Sequence, residues 1–279
     1  MAGDDYRQAS FEIWQRMAQG WDRDRRWFWD ATRAAGEWMV DAVDPQPGQT
    51  ILEIGAGTGE TGFGAAAAVG EGGRLISTDF APNMVEAARA ESERLGLRNV
   101  EHRVLDAERM DLDDDSVDGV LCRWAYMLMA NPPAALRETR RVLREGGRLG
   151  LSVWGAPAEN PWAGLAAREL LQQTGAPPPD PTAPGIFAMA DPERTHSLLA
   201  DAGFEVQRTE DIPIVFRFED FEGYWAFLND MAGAIALAID ALSDEDRRAY
   251  RERLEAAAEP YRSNGGYALP GVAQNTLAA

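Results

Sequence analysis

The chain has 279 residues, 45% of them hydrophobic and 26% charged, which suffices for one large α/β domain with additional segments. Its net charge of −19 opposes binding to the phosphate backbone of a nucleic acid. The single cysteine, Cys122, excludes an internal disulfide and a cysteine-based metal cluster, and we predict no bound metal. The acidic N-terminus lacks a signal-peptide pattern, and no apolar run reaches the roughly 18 residues of a membrane span, so we expect a cytoplasmic protein.

Residues 1–44 are predicted to form a helical cap segment. Trp14 and Trp21 lie seven residues apart and therefore share one face of a helix. An amphipathic helix packed on the body of the protein explains this pattern. Some of these aromatic side chains would alternatively close over a bound ligand, and the two interpretations are compatible. The Pro-Gly-containing stretch at 45–48 then predicts a turn into the first strand.

The stretch from Thr50 to Gly59 predicts a strand, a glycine-rich turn and the start of a helix. Glycines at alternate positions, Gly55, Gly57 and Gly59, permit a tight turn and let a ligand approach the backbone. The N–H groups at the start of the helix then offer hydrogen-bond donors. A dinucleotide-binding turn requires G-x-G-x-x-G, but the sixth residue from Gly55 is Glu60. A nicotinamide-dependent oxidoreductase is therefore disfavoured.

A second strand is predicted from Arg74 to Asp79, and its last residue is an acid 24 positions after Gly55. In doubly wound folds an acidic residue near this position accepts hydrogen bonds from both hydroxyls of a ribose. Asp79 is therefore predicted to bind a nucleoside-containing ligand.

The pattern E-x-G-x-G-x-G at 53–59 and the segment S-T-D-F-A-P-N-M-V-E-A-A-R at 77–89 resemble the first two motifs of class I S-adenosylmethionine-dependent methyltransferases. The resemblance implies an α/β fold with a Rossmann-like, doubly wound, seven-stranded sheet whose final strand is antiparallel. It also implies S-adenosyl-L-methionine as cofactor and S-adenosyl-L-homocysteine as product. The residues that it assigns to the cofactor are Glu53, Gly55, Ala56, Gly57, Thr58, Gly59, Asp79, Phe80, Met84, Asp106, Ala107, Glu108, Cys122 and Arg123.

Strands are next predicted at 99–105, 117–122 and 148–154, with a helix at 131–144. This order resembles the ubiquinone/menaquinone-biosynthesis-type branch of the family (methyltransferase type 11). In that branch the loop after the fourth strand lies beside the transferable methyl group. Here the loop is C-R-W-A-Y-M-L-M, which departs from the usual S-F-G-L-R-N and leaves the acceptor open. Tyr126 and Arg123 are candidates to orient the acceptor, and a buried core position is the alternative for Tyr126.

The predicted methyltransferase domain covers residues 45–218 and includes a proline-rich lid or insertion at 155–190. Its closing strands are predicted at 204–210 and 212–218. Residues 219–279 are predicted to be a C-terminal helical extension. Whether that extension forms a homodimer surface or part of the cap is left open.

The predicted substrate pocket consists of tryptophans, namely Trp14, Trp21, Trp124, Trp154 and Trp162. Such a pocket favours a small aromatic or polyketide-like acceptor in a biosynthetic pathway, methylated on carbon or oxygen by in-line displacement. His102 and His196 are expected to be structural, so the acceptor should need little help from a base. Two alternatives remain. One is N-methylation of a small amine, which an acidic pocket would favour; the other is a cofactor-binding protein without transferase activity.

Overall fold

An eight-stranded β-sheet organises residues 3–279, which are the residues that the computed structural model describes. The strands are β1 (Thr50–Ile54), β2 (Arg74–Asp79), β3 (Val100–Val104), β4 (Val117–Arg123), β5 (Leu143–Trp154), β6 (Val206–Phe218), β7 (Arg262–Ser263) and β8 (Gly266–Ala278). Seven of them follow the order β3-β2-β1-β4-β5-β8-β6, and the short β7 pairs with β8. Strands β1 to β5 run parallel, whereas β8 is antiparallel to both β5 and β6. The predicted doubly wound sheet with an antiparallel final strand is confirmed.

The helices lie on both faces of this sheet. They are α1 (Gly3–Val43), α2 (Glu60–Val69), α3 (Pro82–Arg94), α4 (Pro132–Val142), α5 (Pro161–Thr174), α6 (Pro192–Asp201), α7 (Phe221–Asp230), α8 (Ala234–Asp240) and α9 (Asp244–Ala258). The crossovers through α2 and α3 move the chain in one direction along the sheet, and the crossover through α4 moves it in the other. Because such crossovers are right-handed, α2 and α3 cover one face and α4 covers the opposite face. The direction reverses between β1 and β4, which leaves a crevice at their carboxyl ends.

Local sequence explains where these elements start and why the central strands are fully covered. Ile51, Leu52 and Ile54 of β1 are at most 1% exposed, as expected for a parallel strand with helices on both faces. Asn131 and Asp191 each cap a helix, since their side chains accept hydrogen bonds from the backbone N–H groups of Ala134 and Glu193 in the first turn. In both helices a proline occupies the first turn, where no N–H donor is needed.

Helix α1 is a single helix of 41 residues that contacts both the sheet and the crevice. Its second half packs on the sheet through Ala35 and Met39, which are completely buried. Its first half extends over the crevice, where Trp14 and Trp21 contact each other at 6.2 Å between ring centroids. The shared helical face of these two tryptophans is as predicted.

The predicted pair of closing strands at 204–210 and 212–218 is wrong. The structure has one continuous strand there, β6, and its partner is β8, formed by the end of the chain. Residues 266–278 are therefore a strand inside the sheet and not part of a helical extension, whose helices end with α9. Glu210 and Asp211 lie within this continuous strand. Both side chains are exposed on an edge strand, which also tolerates Pro213 because one side of its backbone has no partner strand.

Helix α5 contacts α8, α9 and β8, and helix α7 contacts α8 and β8. Helix α5 lies within the predicted insertion at 155–190, and α7 to α9 form the helical part of the predicted extension at 219–279. Within residues 3–279, none of the helices combines the length and apolarity needed to cross a membrane.

Because β8 is an interior strand, we expect a charged side chain in its centre to destabilise the fold strongly. Ala273 is completely buried between β5 and β6, where it is opposite Trp154 and Ile212. Ala273→Asp should lower the free energy of unfolding by roughly 3 kcal/mol or more, because a buried carboxylate would have no partner. Thermal unfolding followed by circular dichroism measures this effect.

The matched control is Val215→Asp on the edge strand β6, where Val215 is 38% exposed. This variant should unfold within a few degrees of the unmodified protein. Equal destabilisation of the two variants would contradict the interior position of β8.

Candidate functional site

A cavity of about 330 Å³ lies in the crevice at the carboxyl ends of β1 and β4. Its volume is in the range of small-molecule sites. The glycine turn after β1 forms one end of the cavity, and aromatic side chains from several elements form the other. Helix α1 covers it from above. The site thus lies where ligands bind in open α/β sheets, at the point where the strand order reverses.

Backbone conformation and hydrogen bonds shape the glycine turn. Gly55 and Gly57 have φ angles of 62° and 56°, which residues other than glycine rarely adopt. Asp79 at the end of β2 accepts hydrogen bonds from the N–H groups of Gly57 and Ala81, both at 2.9 Å. Burial raises the pKa of Asp79, and these N–H donors counteract part of the increase. The carboxylate is thereby fixed in one orientation at the cavity wall.

The polar end of the cavity continues along the loop after β3, which contains Asp106 and Glu108. Arg7 of α1 forms ion pairs with both of these carboxylates. Phe11 of α1 also contacts Phe80 edge to face, at 5.4 Å between centroids. These contacts hold the first turns of α1 over the polar end.

The opposite end of the cavity, here named the aromatic chamber, is almost entirely apolar. Its walls are formed by Trp21, Phe28, Trp124, Trp154, Trp162, Phe227 and Met231. Trp124 and Trp154 are stacked, with centroids 4.2 Å apart and an interplanar angle of 13°. Trp124 follows β4 directly and has a φ angle of 58°, a strained conformation for a bulky residue. The strain places a flat aromatic surface in the cavity wall beside the carboxyl end of β4.

Arg123, the last residue of β4, lies in the wall between the two ends of the cavity. Its Nη1 donates a hydrogen bond of 3.2 Å to Thr32 of α1. The centre of its guanidinium lies 4.5 Å from the ring centroid of Trp124 and 5.8 Å from that of Phe28. Burial lowers the pKa of Arg123, but an arginine side chain stays charged in proteins. The cavity therefore contains a fixed positive charge next to the aromatic chamber.

Most of the residues predicted for the cofactor and the substrate line this single cavity. These are Gly55, Ala56, Gly57, Thr58, Asp79, Phe80, Met84, Asp106, Ala107, Glu108, Arg123 and the five tryptophans Trp14, Trp21, Trp124, Trp154 and Trp162. The remaining four, Glu53, Gly59, Cys122 and Tyr126, lie behind the cavity wall.

Three of the four residues outside the cavity support its wall from behind. Glu53 is 2% exposed and accepts a hydrogen bond of 2.8 Å from the N–H of Gly62 in α2. Gly59 precedes α2 with a φ angle of 96°. Cys122 is completely buried, and burial raises the pKa of its thiol to about 12, so the thiol is neutral.

Tyr126 is a core residue and not a residue that orients an acceptor. Its side chain is 1% exposed, and its hydroxyl lies 2.7 Å from the hydroxyl of Thr139 in α4. Burial raises the pKa of the phenol well above its ordinary value, so the phenol is neutral. The alternative prediction of a buried core position describes what the structure shows.

Neither histidine lines the cavity. Nε2 of His102 lies 2.8 Å from the hydroxyl of Ser92, and Nε2 of His196 lies 3.0 Å from the hydroxyl of Thr209. Both contacts are outside the site, in agreement with the structural roles expected for the two residues.

Sequence reasoning missed the cavity residues contributed by distant segments. These include Tyr6, Arg7, Ser10, Ile13, Phe28, Met127, Met129, Ile186, Phe227, Met231 and Leu237. The apolar run from Met231 to Ile239, which is bounded by two aspartates, was the sequence signal that could have indicated Met231 and Leu237. No local pattern around Tyr6 or Arg7 indicates a role at a site, because their positions depend on the direction of α1.

Comparison with known proteins connects this geometry to a family. Residues 45–174 match the family model described as a methyltransferase domain. Over these residues the chain is similar to methyltransferase domains. The resemblance predicted from the glycine turn and Asp79 is confirmed at this level.

Several relatives of this part of the chain are named as methyltransferases. The chain is 36% identical to an aklanonic acid methyltransferase of a Streptomyces species over 114 residues. This alignment covers 41% of the chain and 52% of the relative. The chain is 37% identical to a nocamycin O-methyltransferase of Saccharothrix syringae, over 41% of each chain. The chain thus spans about half or less of the length of these two relatives. A ubiquinone/menaquinone biosynthesis C-methyltransferase of Klebsiella pneumoniae is 28% identical over 60% of this chain and 70% of its own length.

Among solved structures, the YcgJ protein of Bacillus subtilis is similar to most of the chain. The match has a TM-score of 0.58 at 20% identity and covers 88% of this chain and 97% of the other. At this identity the similarity concerns the fold alone.

The buried carboxyl group behind the glycine turn predicts a pH dependence of stability. Burial raises the pKa of Glu53 to about 8, although the N–H of Gly62 acts in the opposite direction. Between pH 4.5 and 8 the unfolded chain loses this proton and the folded chain keeps it. The stability that the protonated Glu53 gives the folded protein is therefore complete below pH 4.5. It is lost as the pH rises to about 8.

Glu53→Gln should remove this dependence because the amide oxygen still accepts from Gly62 but no proton is exchanged. Urea unfolding at pH 5, 6, 7 and 8 measures the free energy of unfolding of both proteins. With rising pH, the value for the variant should increase relative to that of the unmodified protein by up to roughly 1.4 kcal/mol per pH unit. Parallel pH profiles for the two proteins would show that Glu53 is ionised in the folded state.

Proposed function

We propose that this protein is an S-adenosyl-L-methionine-dependent methyltransferase that acts on a small aromatic or polyketide-like molecule. The observation that carries the proposal is the composition of the single cavity. Its polar end contains the glycine turn and an oriented carboxylate, Asp79, and its other end is the aromatic chamber. One ligand with a ribose and one aromatic ligand would therefore meet inside the same enclosed space.

The residues at the polar end fit the adenosyl cofactor. A Cβ atom added to Gly57 would meet no protein atom within 4 Å, so the turn has open space where the cofactor would approach its backbone. The carboxylate of Asp79 offers acceptor sites for two ribose hydroxyls, since each of its oxygens accepts only one backbone bond. Phe80 and Met84 add apolar surface for the adenine.

When bound, the cofactor supplies a methyl group already activated on a sulfonium. The protein's contribution is to orient the acceptor and to exclude water. Helix α1 excludes water by covering the cavity, and Trp124 and Trp154 contribute to an apolar aromatic wall for an aromatic acceptor. Among the described cavity residues there is no histidine, which agrees with an acceptor that needs no strong base.

The nature of the chamber favours an aromatic acceptor over a small amine. An acidic pocket from residues 155–190 or from the C-terminal helices would have favoured N-methylation. The cavity residues that these segments contribute are all uncharged, among them Trp162, Ile186, Phe227 and Met231. The fixed positive charge of Arg123 would also repel an ammonium group. The named relatives, which include an aklanonic acid methyltransferase and a nocamycin O-methyltransferase, support the same choice.

Calorimetric titration with S-adenosyl-L-methionine, S-adenosyl-L-homocysteine and NADH tests the cofactor. Both adenosyl ligands should bind and NADH should not, because the turn lacks the third glycine of a dinucleotide-binding motif. Binding of NADH alone would contradict the proposal. Binding of the adenosyl ligands without methyl transfer to any aromatic acceptor would indicate a protein that binds the cofactor but lacks transferase activity.

Substitution of Asp79 tests the ribose site. Asp79→Ala should weaken the binding of S-adenosyl-L-homocysteine by roughly 10- to 100-fold, since charge-assisted hydrogen bonds contribute about 1.5–3 kcal/mol. Asp79→Asn retains the size and one acceptor oxygen and should have an intermediate effect. Normal affinity of both variants would exclude Asp79 from the site.

Substitution of Gly57 tests the turn independently. Gly57→Val should abolish measurable binding of S-adenosyl-L-homocysteine, because its side chain would occupy cavity space and its φ angle of 56° is unfavourable for a β-branched residue. Calorimetry on a sample with a native circular dichroism spectrum measures the effect. Unchanged affinity would place the cofactor elsewhere.

A further inference from the structure

We propose that Arg123 binds an acidic group of the methyl acceptor, a carboxylate or an ionised phenol attached to an aromatic ring system. This inference rests on the proposed function, since it specifies the substrate class of the same cavity. It adds to that function a charge requirement, which an aromatic chamber alone does not impose.

The first observation is that Arg123 has no counter-charge in contact. Among the described side chains, residues 5–279, no carboxylate lies within 4.0 Å of its guanidinium, and its hydrogen-bond partner is the neutral Thr32. Arg7, the other arginine of the cavity wall, is by contrast paired with both Asp106 and Glu108. An enclosed cation without an anion is costly, and an anionic ligand would remove that cost.

The second observation is that the nearest acids, Glu53 and Glu60, lie beyond ion-pair distance of Arg123, and each has one oxygen bound to another group. Glu53 accepts from the N–H of Gly62, and Glu60 accepts a hydrogen bond of 2.7 Å from the hydroxyl of Thr58. Both acids influence the pKa of Arg123 only from beyond ion-pair distance, and burial has the larger, opposite effect. Because Arg123 lines the cavity, a ligand in the cavity can reach this guanidinium directly.

The third observation is the position of the charge beside a flat aromatic surface. The guanidinium of Arg123 is 4.5 Å from the ring of Trp124, which is stacked on Trp154. A planar acceptor packed in the chamber would bring an acidic substituent on its edge to Arg123. Guanidinium groups bind carboxylates and other anionic oxygens through two parallel hydrogen bonds, so the contact would orient the ring as well as hold it.

This arrangement also explains why the cavity contains no histidine among its described residues. A carboxylate arrives at neutral pH already ionised. It therefore needs orientation and not deprotonation.

The test compares two ligands of equal shape and different charge, 2-naphthoate and 2-naphthamide, by tryptophan fluorescence titration at low ionic strength. Trp124 and Trp154 provide the signal. The unmodified protein should bind the carboxylate at least roughly 10-fold more tightly than the amide, as expected for a charge-assisted contact. Arg123→Gln should reduce this preference to about one, and Arg123→Lys should retain part of it because the charge remains.

The matched control is Arg208→Gln. Arg208 lies 4.6 Å over the ring of Trp38, the same type of cation–π contact as that of Arg123, but it is on β6 outside the cavity. This variant should keep the full preference for the carboxylate. If Arg208→Gln also lost the preference for the carboxylate, the preference would depend on overall charge and the proposal would be overturned.

Equal affinities for carboxylate and amide in the unmodified protein, or no binding of 2-naphthoate, would overturn the inference even if Arg123→Gln does not fold. A parallel titration with S-adenosyl-L-homocysteine separates this failure from failure of the proposed function. Adenosyl binding without a carboxylate preference refutes only the role of Arg123. Absence of adenosyl binding refutes the methyltransferase assignment itself.

Discussion

The backbone turn between β1 and α2 is held by two carboxyl groups, the buried Glu53 and the partly buried Asp79, and the cavity depends on this arrangement. Asp79 accepts from the N–H of Gly57, and Glu53 accepts from the N–H of Gly62 on the other side of the turn. Without these acceptors the turn would leave buried donors unsatisfied. Because both acids lie at the carboxyl ends of adjacent parallel strands, the order of the sheet determines where the turn and its ligand lie.

The second determinant of the site is the length of α1. A helix of 41 residues is about 60 Å long, so it can pack on the sheet at one end and cover the cavity at the other. Its packing on the sheet fixes the direction of the helix, and its ion pairs with Asp106 and Glu108 through Arg7 fix its first turns. The same helix supplies Phe28 and Thr32, which contact Arg123. Access to the cavity and the environment of its positive charge are therefore linked through one element.

Charge is distributed unevenly along the cavity of this acidic protein. Acids at the polar end are paired with Arg7 or with backbone donors, whereas the aromatic end contains a positive charge with no acid in contact among the described side chains. A net charge of −19 would disfavour an anionic ligand at long range. Salt screens that long-range repulsion over about 10 Å, but it screens a contact within an enclosed cavity much less. Under the function proposed above, local complementarity at Arg123 would therefore determine which acceptor binds.

Sequence alone determined the class of the fold, the glycine turn and Asp79, because these depend on local spacing along the chain. The turn needs glycines at fixed positions, and an acid at the end of the next strand must lie beside it in any parallel pair. Tertiary structure decided the outcome for Tyr126, because only the packing of α4 shows whether its phenol faces the core or the cavity. It also decided the place of β8, whose Gly- and Ala-rich sequence has weak strand character and becomes an interior strand through its partners β5 and β6. The absence of an acid beside Arg123 likewise follows only from the fold, since residues far apart in the sequence surround it.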